Sequence, residues 1–279
     1  MPVAKKAASR AIANGFVLPE LKKFSIDQAA KIADCYTTNG YVVVSDLVQK
    51  DAVAAVKNEI EEVVRVEEAR YLTRAKRSFD EALIALFQIA PDYRKRLYGV
   101  FQNVLGLHQL SAHEGLGELV KILGVKTPIL RNCMVRVDIP GEDRFLQPLH
   151  QDVRTVHSEN AVNFWLPVQD LTEKIGPMAI YPGSHTKGAI LCDAVNESGY
   201  QVISEKAVQE FPRTLCLLKM GEVLAFNSFI AHQSSPNRSP NTRFTAVTRY
   251  DDGSEMGWLR TGIRPLTNFD LQETGEGEK

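Results

Sequence analysis

The sequence predicts a mainly β fold, a jelly-roll-like barrel supported by a helical N-terminal layer. Three observations lead there. Apolar residues recur at helical spacing through roughly the first 125 positions. Beyond about residue 127, short β-branched and aromatic runs follow in quick succession, punctuated by Gly, Pro, Asn and Asp. No helical pattern separates those runs, which argues for antiparallel pairing and against a βαβ sheet.

Ser25 and Gln28 form an S-x-x-Q capping box that opens a helix, and Gly40 can end it. Residues 40–44 then read as a short β-branched strand. From 51 to about 71, Val53, Val56, Ile60, Val63 and Val64 mark an amphipathic helix whose other face, with Glu59, Glu62, Arg65 and Glu68, is solvated. Further helices are predicted near 78–90, 93–105 and 115–123. Strands are predicted at 129–139, 162–168, 178–181, 215–218, 223–227 and 243–250. The expectation is a single domain over 1–279, with helical support at about 20–125 and a barrel core at about 127–265. The basic N-terminus and the tail at 273–279 read as frayed.

Bulk composition narrows the function classes. The chain has 279 residues, 44% of them hydrophobic and 24% charged, and a formal charge of -1. That balance supplies no basic field for nucleic acid or an anionic membrane. No apolar run reaches the ~18 residues of a membrane helix. Cys35, Cys133, Cys192 and Cys216 are far apart, with no zinc-like clustering. A cytoplasmic protein with reduced thiols is expected.

Two of the six histidines sit in notable contexts. In His150-Gln151-Asp152, a strand would place the imidazole and the carboxylate on one face, roughly 7 Å apart along the backbone. That is two-thirds of the 2-His-1-carboxylate triad used by non-haem Fe(II) oxygenases. His232, just after the run 223–227, is the candidate third ligand. Arg243 follows eleven residues later. An arginine on an inward face needs an anionic partner, and its guanidinium fork suits a carboxylate.

H-x-D, a distal His and an Arg eleven residues beyond it resemble the phytanoyl-CoA dioxygenase family of Fe(II)/2-oxoglutarate oxygenases. Gly40-Tyr41-Val42-Val43-Val44, Pro148 to Asp152, Asn163-Phe164-Trp165-Leu166, Gly176-Pro177-Met178 and Tyr181 to His185 fit the same pattern. The resemblance spans about 25–250. It implies a double-stranded β-helix (a jelly roll, cupin-like) and iron held by His150, Asp152 and His232. It further implies 2-oxoglutarate and O2 as co-substrates, with Arg243 holding the distal carboxylate of 2-oxoglutarate and Ser234 assisting. Trp165 and Gln151 match positions lining the co-substrate pocket. Halogenating relatives lack the ligand carboxylate, so Asp152 argues against halogenation.

The implied reaction is hydroxylation of an unactivated C–H bond in a small-molecule metabolite, releasing succinate and CO2. The alternatives are desaturation, cyclisation, epimerisation or demethylation at the same centre, a silent metabolite-binding barrel, and a non-redox metal hydrolase. Arg136 shares a strand face with Asp138, and Arg249 shares parity with Arg243. Arg136, Arg154 and Arg249 are therefore candidate anchors for an anionic substrate. His185 reads as a turn residue, His157 as a loop residue at the cavity mouth, and His108 and His113 as surface residues. Neither substrate identity nor oligomeric state is legible.

Overall fold

Helix α1 (Ala29–Asn39) ends where Gly40 enters the left-handed region at φ 75° and donates its N–H to the Tyr36 carbonyl at 2.8 Å. A side chain at residue 40 would collide with His185 and Ile230, so only glycine admits this close approach. The computed structural model describes residues 21–72 and 77–256, with a short antiparallel pair, β1 (Ile12–Ala13) and β2 (Phe16–Val17), before them. The expected frayed termini and the stretch 257–265 of the expected barrel core lie outside the described residues.

After β3 (Lys23–Phe24), α1 and β4 (Tyr41–Val44) come five more helices. These are α2 (Lys50–Tyr71), α3 (Phe79–Phe87), α4 (Pro91–Phe101), α5 (Leu105–Ser111) and α6 (Glu114–Ile122). The box expected at Ser25 forms by half. Ser25 N–H donates to Gln28 Oε1 at 3.1 Å, but Gln28 itself occupies the N-cap without a side-chain bond. The full reciprocal box is at Ser78 and Glu81, opening α3. The helix expected over 93–105 is α4, which Pro91 starts earlier, at the position where proline costs no hydrogen bond, and which ends at Phe101; α5 was not expected. His113, expected as a plain surface residue, caps α6 by accepting from Gly115 N–H at 3.1 Å.

Nine strands follow: β5 (Pro128–Asp138), β6 (Val162–Pro167), β7 (Ala179–Ile180), β8 (Ala194–Val195), β9 (Gln201–Val202), β10 (Thr214–Leu215), β11 (Val223–Asn227), β12 (His232–Gln233) and β13 (Arg243–Asp252). They form a six-stranded sheet in the order β3-β4-β11-β6-β13-β5, a three-stranded sheet β10-β7-β12 and the hairpin β8-β9. Only the β3–β4 pair in the larger sheet is parallel. No pairing among the described residues closes these sheets into one barrel.

All ten residues of β13 are buried because both of its faces are covered. Phe244 and Ala246 share an apolar cluster with Val42, Phe164 and Ala225 of the large sheet and with helix residues Ile60, Leu83, Leu107 and Leu116. The opposite parity, Arg243, Thr245, Val247 and Arg249, lines a cavity between the sheets. Trp165, Leu224 and Phe226 pack there against Ile180 and Met178. Among the described residues, no helix is long and apolar enough to cross a membrane.

Candidate metal centre

His150 and His232 meet through their backbones. Each N–H donates to the other's carbonyl, at 3.0 and 2.9 Å, an isolated antiparallel bridge onto β12. The two imidazole centroids are therefore 4.1 Å apart. Strand parity does not bring Asp152 to them, contrary to expectation: Asp152 opens a 3-10 turn over Asp152–Thr155 that Thr155 closes on the Asp152 carbonyl. The turn redirects the chain and sets Asp152 Oδ1 3.7 Å from His150 Nε2 and Oδ2 4.0 Å from His232 Nε2. One ligand atom from each of the three residues lies within 4.8 Å of the others, close enough to hold one metal ion.

The tautomers suit that role. Nδ1 of His150 donates to the Pro148 carbonyl at 2.7 Å, and Nδ1 of His232 to the Ile230 carbonyl at 3.0 Å. Both neutral rings thus present the Nε2 lone pair inward. His150 Nε2 is buried and has no hydrogen-bond partner, the state of a donor atom awaiting a cation. Burial, reinforced by His232, pushes His150 down to about 3, so its ring is neutral. Burial also pushes His232 down. Burial alone would raise Asp152, but Arg249 and the two histidines outweigh it and hold the carboxyl at about 2.

Arg243, Ser234, Trp165 and Arg136 all line the cavity beside Asp152 and His232. Their neighbours decide what each can do. Arg243 Nε and Nη2 donate to Asp138 Oδ2 at 3.2 and 2.8 Å, and Nη1 donates to the Ser235 carbonyl at 3.2 Å. Ser234, expected to assist Arg243, lines the cavity with it. Arg136 Nη2 donates to Asp138 Oδ1 at 3.2 Å and to the Phe145 carbonyl at 3.0 Å. Asp138 was missed as a site residue. Its face was legible from parity with Arg136, but its partner across the sheet was not.

Arg249 lines the cavity with its Nε and Nη2 bound to Asp152 Oδ2. Two expectations are corrected. Gln151 does not line the cavity: its amide donates to the Gly188 and Phe229 carbonyls and accepts from Ile190 N–H, pinning the 188–190 loop and the turn at Phe229. Arg154 follows Asp152 in the 3-10 turn and is likewise absent from the cavity wall. Outside the centre, His185 hydrogen-bonds the Thr37 carbonyl at 3.1 Å, and His157 Nδ1 lies 3.5 Å from Asp251.

Two histidines and one carboxylate converging in a cavity between antiparallel sheets define a facial-triad type of metal centre. The family model for phytanoyl-CoA dioxygenase (PhyH) matches residues 36–245, and the chain belongs to that family. A phytanoyl-CoA dioxygenase domain-containing protein 1 homolog of Dictyostelium discoideum is 25% identical over 196 residues, covering 67% of this chain and 64% of the relative. A 1-deoxypentalenic acid 11-beta-hydroxylase of Streptomyces exfoliatus is 30% identical over 133 residues, 43% of this chain and 47% of the relative. The chain thus spans less than two-thirds of the length of these relatives.

Solved structures share the fold. The alpha ketoglutarate dependent epimerase SnoN from nogalamycin biosynthesis, solved with Fe3+, alpha ketoglutarate and nogalamycin RO, superposes with a TM-score of 0.57 at 17% identity, over 86% of this chain and 91% of its own. The carbocyclase SnoK gives 0.56 at 17% identity, over 88% and 96%.

Proposed function

We propose that the protein is a non-haem Fe(II)/2-oxoglutarate-dependent dioxygenase that hydroxylates an unactivated C–H bond of a small-molecule metabolite. One observation carries this reading: the buried, partnerless Nε2 of His150 faces Asp152 and His232, two residues that line the same cavity as Arg243. His150, Asp152 and His232 would hold the iron. The chemistry that such an ion supplies with 2-oxoglutarate and O2 is oxidation of a C–H bond, with release of succinate and CO2.

The chain's own part is binding, orientation and exclusion of water. Arg243 receives the distal carboxylate of 2-oxoglutarate. The Nδ1–H bonds to the Pro148 and Ile230 carbonyls keep both Nε2 atoms aimed inward. Trp165 and Phe226 give the cavity apolar walls. Arg136 faces the same space and remains a candidate anchor for an anionic group. The hydroxylation outcome draws support from the relative named as a hydroxylase. The reading includes a single domain, with the two sheets forming a double-stranded β-helix buttressed by the N-terminal helices, in a cytoplasmic setting.

Anaerobic addition of Fe(II) and 2-oxoglutarate should produce a weak visible charge-transfer band, lost in His150→Ala. Absence of the band, with no succinate formed in air, overturns the proposal.

A further inference from the structure

We infer that Asp138 is a positioning residue that presents Arg243 to the distal carboxylate of a 2-oxo dicarboxylate. The inference rests on the reading that Arg243 receives the co-substrate, and it concerns what makes that arginine competent. The β13–β5 register sets Arg243 directly opposite Asp138, 105 positions away in sequence.

The argument is a count of donors. A guanidinium has five N–H bonds. In Arg243, Nε–H and one N–H of Nη2 are spent on Asp138 Oδ2, and one N–H of Nη1 on the Ser235 carbonyl. One N–H remains on each terminal nitrogen, the number needed to grip one carboxylate with two parallel bonds. Asp138 is itself immobilised, because Arg136 holds Oδ1 while Arg243 holds Oδ2.

Charge points the same way. Two guanidiniums share one carboxylate in a region where Asp138 is 6% and Arg243 2% exposed, so positive charge is left over. Unmatched buried charge is costly, and an incoming carboxylate relieves it. Two effects then oppose each other in Asp138→Asn. Removing a negative charge favours the incoming carboxylate, whereas an amide accepts on one side only, so one of the two arginines meets an N–H and the clamp that fixes Arg243 loosens. Orientation wins, because a bidentate grip is lost with a modest rotation while the Coulomb gain is spread over two arginines.

The probes are 2-oxoglutarate and 2-oxopentanoate, which differ in the distal carboxylate. Binding is titrated calorimetrically to the Zn(II)-loaded protein, where no turnover intervenes. Wild-type protein should bind 2-oxoglutarate at least about tenfold more tightly than 2-oxopentanoate. Asp138→Asn should lose about tenfold for 2-oxoglutarate and nothing for 2-oxopentanoate, on the scale typical of partners that orient a liganding group. With Fe(II), the KM for 2-oxoglutarate should rise while kcat holds.

Unchanged or tighter 2-oxoglutarate binding in Asp138→Asn overturns the inference, as does equal weakening of both probes. If that variant does not fold, Asp138→Glu, which keeps the charge but displaces the carboxylate by one methylene, must show the same selective loss, and unaltered selectivity overturns it. Failure of wild-type protein to distinguish the two probes would instead remove the role given to Arg243.

Discussion

Arg249 grips Asp152 from the side: its Nη2 and Nε lie 3.0 and 3.3 Å from Oδ2, leaving Oδ1 toward His150. One oxygen of the ligand is thus neutralised by the protein, and the other is presented to the cavity. Without Arg249, a metal ion would be the chief counter-charge for a carboxylate that is 2% exposed. Arg249→Leu should therefore destabilise the metal-free protein by about 3–5 kcal/mol. Adding Zn(II) should raise its Tm by more than it raises that of the wild-type protein. Equal metal-induced shifts in a calorimetric scan would count against this role.

Gly176 controls Arg243 from a distance. It sits at φ 78°, and a Cβ there would press on the carbonyls of Ser235 and Pro236. The Ser235 carbonyl is the one that accepts from Arg243 Nη1. Gly176→Ala should cost about 1–3 kcal/mol of stability and weaken 2-oxoglutarate binding while sparing metal affinity. Gly188→Ala is the control. Its φ is also positive, at 65°, but nothing lies within 4 Å of its Cβ, so it should lower stability alone.

Asp252 ties the end of β13 to the chain entering β5. It accepts the backbone N–H groups of Lys126, Thr127 and Ser254 at 2.9, 3.0 and 3.0 Å. Burial opposes ionisation, but these bonds outweigh it and hold the carboxyl well below its usual range. A depressed carboxyl contributes stability that is fully present above about pH 4 and is lost as pH falls toward the folded-state value. Asp252→Asn should therefore lower stability at pH 7 and flatten its decline between about pH 5 and pH 2. Urea midpoints across that range would check it; parallel curves would refute it.

Phe244 tests the opposite face of the strand that carries Arg243. It is fully buried and packs on Phe79 with ring centroids 5.7 Å apart. Phe244→Ala should cost about 3–5 kcal/mol in chemical denaturation. Zn(II) affinity in native buffer should persist, because none of the three ligands touches this layer.

Much of this was legible beforehand for identifiable reasons. The strand Val223–Asn227 is a continuous apolar run and the long helix α2 carries helical periodicity, and their bounds match within a residue. His150, Asp152 and His232 stood out because few residue types can hold a transition metal, so ligand chemistry is visible in composition and spacing. The hairpin β8–β9 was invisible: two residues per strand, exposed or half-exposed, give no alternation to read. Helix α5 was not legible because its seven residues are too few to show a helical period.

By itself, the sequence determined the kinds of groups present, imidazoles, a carboxylate and arginines, and the sheet face shared by the arginines at even spacing on β13. Only the tertiary structure decided which arginine meets which carboxylate. Arg243 pairs with Asp138 and Arg249 with Asp152. The reason is physical. Alternation along a strand specifies which face a side chain takes, whereas its partner depends on the register between strands about a hundred residues apart. That register is set by packing and hydrogen bonding across the whole sheet.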